Sequence, residues 1–258
     1  MSHVIYDIDN VTNTYDGHMV NRFWTMMPEG LTCVDCVDIS SMHETSVRHG
    51  KDYDFDNFTK LRVSGIYEVE LRQDDEFKVS VAANDDLFYK TQISQEGNEL
   101  IIETTRDGLT WNEIFRNHRR PKLYITMPDL EYLGVEGIAL VDIRDFEGDM
   151  LELNIEGASK LDGVIDMQQL KLNVEGAAKV DMEGQANELT LEVAGVGRID
   201  MDDLLVNDAN VDIEGGGKAY LNITDNLNVT LKGVSEVAYH GEPEVVSDLD
   251  GIARLRNY

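Results

Sequence analysis

Three stretches, LNIEGASKLDG (153–163), LNVEGAAKVDM (172–182) and LEVAGVGRIDM (191–201), decide how this chain is read. In each, apolar residues stand two and four positions before a glycine: Leu153 and Ile155, Leu172 and Val174, Leu191 and Val193. A small residue follows two positions after it (Ser159, Ala178, Gly197), then large apolar ones at Leu161, Val180 and Ile199. Period two is the signature of a strand with one buried face. Glycine and a small residue on that face suggest a corner where neighbouring strands approach closely.

The unit recurs outward from these three. LGVEGIALVDI (133–143) precedes them, and VDIEGGGKAYL (211–221) and VTLKGVSEVAY (229–239) follow. The central glycines Gly137, Gly157, Gly176, Gly195, Gly215 and Gly233 are separated by 20, 19, 19, 20 and 18 residues. A related unit, LRVSGIYEVEL (61–71), surrounds Gly65. A single unit cannot bury its apolar face alone, whereas side-by-side units bury it continuously. The spacing therefore predicts an all-β chain, a stacked β-solenoid with coils of about nineteen residues. The inner column Leu153, Leu172, Leu191 and Val211 is expected to stack.

The intervening positions are charged in a pattern. Glu136, Glu156, Glu175 and Glu214 precede the glycine; Lys160, Lys179, Arg198 and Lys218 follow by three; Asp142, Asp162, Asp181 and Asp200 follow by five. Stacked like charges repel, and a basic column between acidic ones offsets that cost. This reads as a solvated outer face. An acidic ladder for a divalent cation is the alternative, and the calcium-binding nonapeptide spacing is absent.

Ahead of the regular units, residues 58–130 read as irregular early coils, or as a small sheet covering one end. The turn signals Asn84-Asp85-Asp86 and Gly97-Asn98 divide them. Residues 1–57 read as an N-terminal extension or cap, 131–240 as regular coils, and 241–258 as a C-terminal cap. Cys33 and Cys36 form a CVDC unit. A redox dithiol, a tight disulfide and a zinc site with His43 and His49 are alternatives to an incidental pair, which is favoured.

One segment breaks the pattern. Trp111 to Lys122 reads WNEIFRNHRRPK, a basic and aromatic excursion in a chain of net charge −28. Trp and Arg are enriched at binding hot spots, and irregular insertions on rigid scaffolds often carry function. Trp111, Phe115, Arg116, Arg119 and Arg120 are the candidate partner-binding residues. The bland reading has the arginines paired with acids of the same chain. The overall acidity argues against nucleic acid as a partner. No apolar run has the length of a membrane span. Met1 to Asn10 does not read as a signal peptide.

FTKLRVSGIYEVEL (58–71), KLYITMPDLEYLGVEG (122–137), the repeated L-x-V-x-G segments and VAYHGEP (237–243) together resemble a bacterial family described as putative auto-transporter adhesin, head GIN domain. The resemblance covers roughly residues 45–255. Where that family commonly carries a serine-rich corner, this chain has Glu-Gly-Ala or Glu-Gly-Gly. The resemblance implies a parallel right-handed β-helix and an extracytoplasmic protein, in the periplasm or at the cell surface. It brings no catalytic residues.

The expectation is a non-catalytic, adhesin-like envelope module with no cofactor and no metal. Its partner is an envelope protein or a glycan, with a homo-oligomer as a further option. The alternative is a carbohydrate-active β-helix enzyme, a polysaccharide lyase or hydrolase. Such an enzyme needs an irregular carboxylate cluster in a groove rather than regular columns.

Overall fold

The computed structural model describes residues 50–83, 90–104 and 120–258 in full, and the backbone of 13–15, 18–20, 24–27, 30–33 and 49. The chain divides into two units, Met1–Val47 and Arg48–Tyr258. In the first, β1 (Asn13–Tyr15) pairs antiparallel with β2 (His18–Val20), and β3 (Trp24–Met27) with β4 (Gly30–Cys33). Cys36 and His43 lie outside the described residues, as do residues 111–119 of the basic excursion.

The second unit is one sheet built around β6 (Lys60–Gln73). Its alternation buries Leu61, Val63, Val69 and Leu71 on one face. β6 runs parallel to the start of β11 (Tyr132–His240), with Leu61 opposite Leu133, Gly65 opposite Gly137 and Leu71 opposite Ile143. The early unit around Gly65 thus lies beside the first regular one. On its other side β6 carries β9 (Glu99–Thr104) and β10 (Lys122–Met127), both parallel to it. At the far end, β12 (Glu244–Asn257) runs parallel to the last part of β11, from Asn226 opposite Glu244 to Tyr239 opposite Asn257.

The remaining strands make the antiparallel pairings. β7 (Lys78–Ala83) is antiparallel to β10, and β5 (His49–Tyr53) is antiparallel to β7. β8 (Thr91–Glu96) is antiparallel to β9 across the two-residue turn Gly97-Asn98, where Gly97 has φ +62°. Such a turn matches the twist of a hairpin and needs a left-handed residue. These pairings correct the expected fold class. The molecule is all-β, but the sheet mixes parallel and antiparallel strands in an open half-barrel, and is not a parallel right-handed β-helix (β-solenoid). The physical reason is local. β8 turns back on β9 at Gly97-Asn98 and β7 runs antiparallel to both β5 and β10, whereas a period-two pattern carries no information about strand direction.

Within β11 the chain returns on itself so that equivalent residues of successive units are neighbours. A Cβ on Gly157 would meet the Gly137 carbonyl oxygen at 2.3 Å, and one on Gly195 would meet that of Gly176 at 2.2 Å. Backbones so close leave no room for a side chain, which explains the glycine at each corner. Leu153, Leu172 and Leu191 are fully buried and Val211 nearly so. Each such leucine contributes roughly 1.5–3 kcal/mol through burial. One apolar cluster runs from Phe58 to Val237 along the inner face. Phe58 and Phe77 pack at 4.9 Å, and Tyr67 is buried with its hydroxyl accepting a 2.8 Å bond from Thr104 Oγ1.

Candidate functional site

Because inward positions are apolar, the alternate ones face out, and a step of 18–20 residues lines them up across units. Amides occupy many of these outer positions. An amide both donates and accepts, so it can bond its equivalents above and below without the repulsion of a charged column. Asn173 Nδ2 donates to Asn154 Oδ1 at 2.6 Å, Gln185 Nε2 to Asp166 Oδ2 at 2.6 Å, and Asn207 Nδ2 to Asn187 Oδ1 at 3.3 Å. Asn187 bonds Gln168 in turn. Nearer the C-terminus, Asn226 Nδ2 donates to Asp208 Oδ1 at 2.6 Å and Asn228 Nδ2 to Asn210 Oδ1 at 3.0 Å.

These last rows line an open groove of about 500 Å³ bounded by Glu188, Thr190, Asp208, Asn210, Asn228 and Glu244. A smaller one, about 190 Å³, lies by Asn173, Glu175, Glu192 and Glu214. The polar walls are fixed by bonds among themselves, which makes the larger groove a preformed polar surface.

The charged columns are cross-linked too. Lys160 Nζ lies 2.5 Å from Asp162, Arg144 lies 2.6 Å from Asp142, and Arg198 lies 2.9 Å from Asp200. Lys232 pairs with Glu214. Glu236 receives both Arg256 at 2.9 Å and Lys218 at 3.4 Å, and the Arg256 bond, ahead of Lys218, holds its carboxyl below the usual range. Among the described residues no three His, Cys, Asp or Glu side chains gather as a metal site. Among the described residues there is no helix long and apolar enough to cross a membrane.

A second polar cluster sits where the chain ends. The Tyr258 hydroxyl donates to Asp202 Oδ1 at 2.5 Å, and its ring lies 4.0 Å from that of His240. Burial, then the Asp202 carboxylate, pushes the Tyr258 hydroxyl well above the ordinary tyrosine value. Arg198 covers Tyr220 at 4.7 Å and Arg256 covers Tyr258 at 5.2 Å.

Of the residues singled out in the excursion, Trp111, Phe115, Arg116 and Arg119 lie outside the described residues. Arg120 is half-buried, and its Nη1 is shielded from solvent with no hydrogen-bond partner. Lys122 pairs with Glu68 on β6, so this basic group serves the fold. The amide rows were not singled out from the sequence. The signal was there, since Asn154 and Asn173, or Asn210 and Asn228, repeat at the same interval as the glycines.

A buried inner face and an ordered, self-bonded polar outer face define an all-β scaffold. Residues 57–243 match the model of the family described as putative auto-transporter adhesin, head GIN domain, and the chain belongs to that family. A putative adhesin from Bacteroides fragilis NCTC 9343 superposes with a TM-score of 0.75 at 22% identity, covering 82% of this chain and 97% of its own. A putative lipid binding protein from Parabacteroides distasonis ATCC 8503 gives 0.63 at 19% identity, over 82% and 96%. A putative adhesin from the same organism gives 0.57 at 16%, over 83% and 98%. At these identities the likeness speaks for the fold alone. No curated protein matches the sequence.

Proposed function

We propose that this chain is a non-catalytic, adhesin-like module of the cell envelope that presents a rigid polar surface to a partner outside the cytoplasm. The observation that carries the reading is the groove beside Asn210 and Asn228. Its amides and carboxylates are already bonded to one another, as Asn226 is to Asp208. Groups so engaged suit recognition of a polar ligand, an envelope protein or a glycan rich in hydroxyls, better than proton transfer to a substrate. Family membership supports the same reading.

The excursion holding Trp111, Phe115, Arg116, Arg119 and Arg120 is proposed as a second contact, basic and aromatic on an acidic body. Its attraction is to an acidic partner surface. The test is binding of the purified chain to envelope fractions and to an array of bacterial glycans. Asn210→Ala with Asn228→Ala should weaken capture while leaving the melting temperature nearly unchanged, as should Trp111→Ala with Arg119→Ala. Release of unsaturated or reducing sugar ends from a polysaccharide would replace this reading with an enzymatic one.

A further inference from the structure

We propose that β12 is a docking edge for the β12 of a second copy of this chain, the acidic arm of each strand lying along the basic arm of the other. One side of β12 is paired to β11 along its whole length, and no strand among the described residues pairs with its other side. Tyr258 N donates to Tyr239 O, so the even-numbered amides near the C-terminus point toward β11. By alternation those of Ala253, Leu255 and Asn257 point outward, free to form a new ladder.

The inner face is uncovered at the same place. Leu249 sits in register with Leu231. Leu231 is fully buried, while Leu249 is 44% exposed because nothing lies beyond it among the described residues. Val245, Ala253 and Leu255 share that inner face and are only partly buried against the core, and on the outer face Val246 and Ile252 are 62% and 77% exposed. The opposite end of the sheet path finishes in β5, a strand of five residues, whereas β12 has fourteen. Long edges with apolar residues invite pairing with another chain.

Charge selects the occupant and its direction. Asp248 and Asp250 precede the corner at Gly251, where φ is +88°, and Arg254 and Arg256 follow it. A copy added in parallel register would set Asp248 against Asp248. A copy related by a two-fold axis at the Gly251 corner sets Asp248 opposite the partner's Arg254, with Asp250 diagonal to the same side chain. Directly opposed and diagonal pairs are both within reach across an antiparallel ladder. The pairing occurs twice in the dimer. Arg256 is already held by Glu236, so Arg254, exposed on the edge, is the principal basic partner. Two-fold pairing also uses up both edges, so it closes as a dimer and does not propagate into a fibre.

The test is sedimentation equilibrium of the full chain over a wide concentration range. A monomer–dimer equilibrium is expected. Asp248→Arg or Arg254→Asp alone should weaken the dimer by about tenfold or more, since each sets like charges together twice. The double variant Asp248→Arg with Arg254→Asp should recover most of that loss. Ala253→Pro removes an outward N–H while sparing the ladder to β11, and should give monomer. Circular dichroism confirms that each variant retains the sheet. A wild-type chain that stays monomeric throughout overturns the proposal. So does a dimer indifferent to the single reversals, or one that the double exchange does not recover.

Discussion

Gly176 lies directly against Gly157: a methyl built on Gly176 would stand 2.5 Å from the Gly157 carbonyl oxygen, and Gly176 itself has φ +116°. Both the space and the backbone conformation therefore exclude a side chain. Gly176→Ala should cost about 3 kcal/mol or more, because two rows of backbone must part. Gly97 provides the control, since its φ is +62° and nothing lies within 4 Å of a Cβ there. Gly97→Ala should cost only about 1 kcal/mol, the strain of a left-handed alanine. Urea unfolding of the two variants checks the difference, and equal losses would mean that close approach of the units does not set the glycine requirement.

The inner columns make a second prediction. Leu172 is fully buried between Leu153 and Leu191, which occupy the same position of the adjoining units. Its neighbours are held by backbone ladders and cannot collapse freely into a cavity. Leu172→Ala should therefore lose about 2–5 kcal/mol. Leu205, 44% exposed on the outer side, should lose less than about 1 kcal/mol on the same change. Similar losses at both positions would contradict the assignment of inner and outer faces.

These columns were legible in the sequence because burial imposes period two and close approach imposes glycine. The register of β6 against β11 was legible for the same reason, since Gly65 and Gly137 mark equivalent corners. Strand direction was not. KVSVAA in β7 and KLYITM in β10 alternate alike, yet they run antiparallel. Alternating side chains do not encode strand direction. The two-residue Gly97-Asn98 turn was a local mark of antiparallel pairing. The groove was missed because its walls come from side chains about 20 residues apart, on positions that looked merely solvated.

Asp129 offers a test of pH dependence. Burial, then the nearby Glu131 and Asp149 carboxylates, raise its carboxyl above the ordinary value, and the Leu130 N–H opposes this only in part. A carboxyl that holds its proton more tightly in the folded chain favours folding below its unfolded pKa, about 3.9. That contribution is lost as pH rises through the folded value. At pH 7 the ionised Asp129 is therefore a burden. Asp129→Asn should stabilise the protein at pH 7 by less than about 1 kcal/mol, with the gain disappearing by about pH 3. Chemical unfolding at the two pH values reads this directly, and a variant that is less stable at pH 7 would show that the carboxylate has a partner that outweighs its burial.

Lys160 stands where a bound cation would stand in an acidic ladder. Its ammonium lies 2.5 Å from Asp162, and that hydrogen bond, with the charges of Asp162, Asp181 and Asp142, holds it above the ordinary lysine value. The neighbouring Arg198 serves Asp200 in the same way. With the basic column in place, calcium gains little by entering, because it would have to displace or repel an ammonium already bonded there. Calorimetry of the wild-type chain with calcium should show no micromolar site along Asp142, Asp162 and Asp181. Lys160→Ala leaves those carboxylates facing one another across the rows, so its melting temperature should fall at low salt. Millimolar calcium should then raise the melting temperature of this variant more than that of the wild type. If calcium stabilises the wild type as strongly as Lys160→Ala, or binds it tightly and is lost on Asp181→Asn, the carboxylate column is a cation site in its own right and the lysines are peripheral to it.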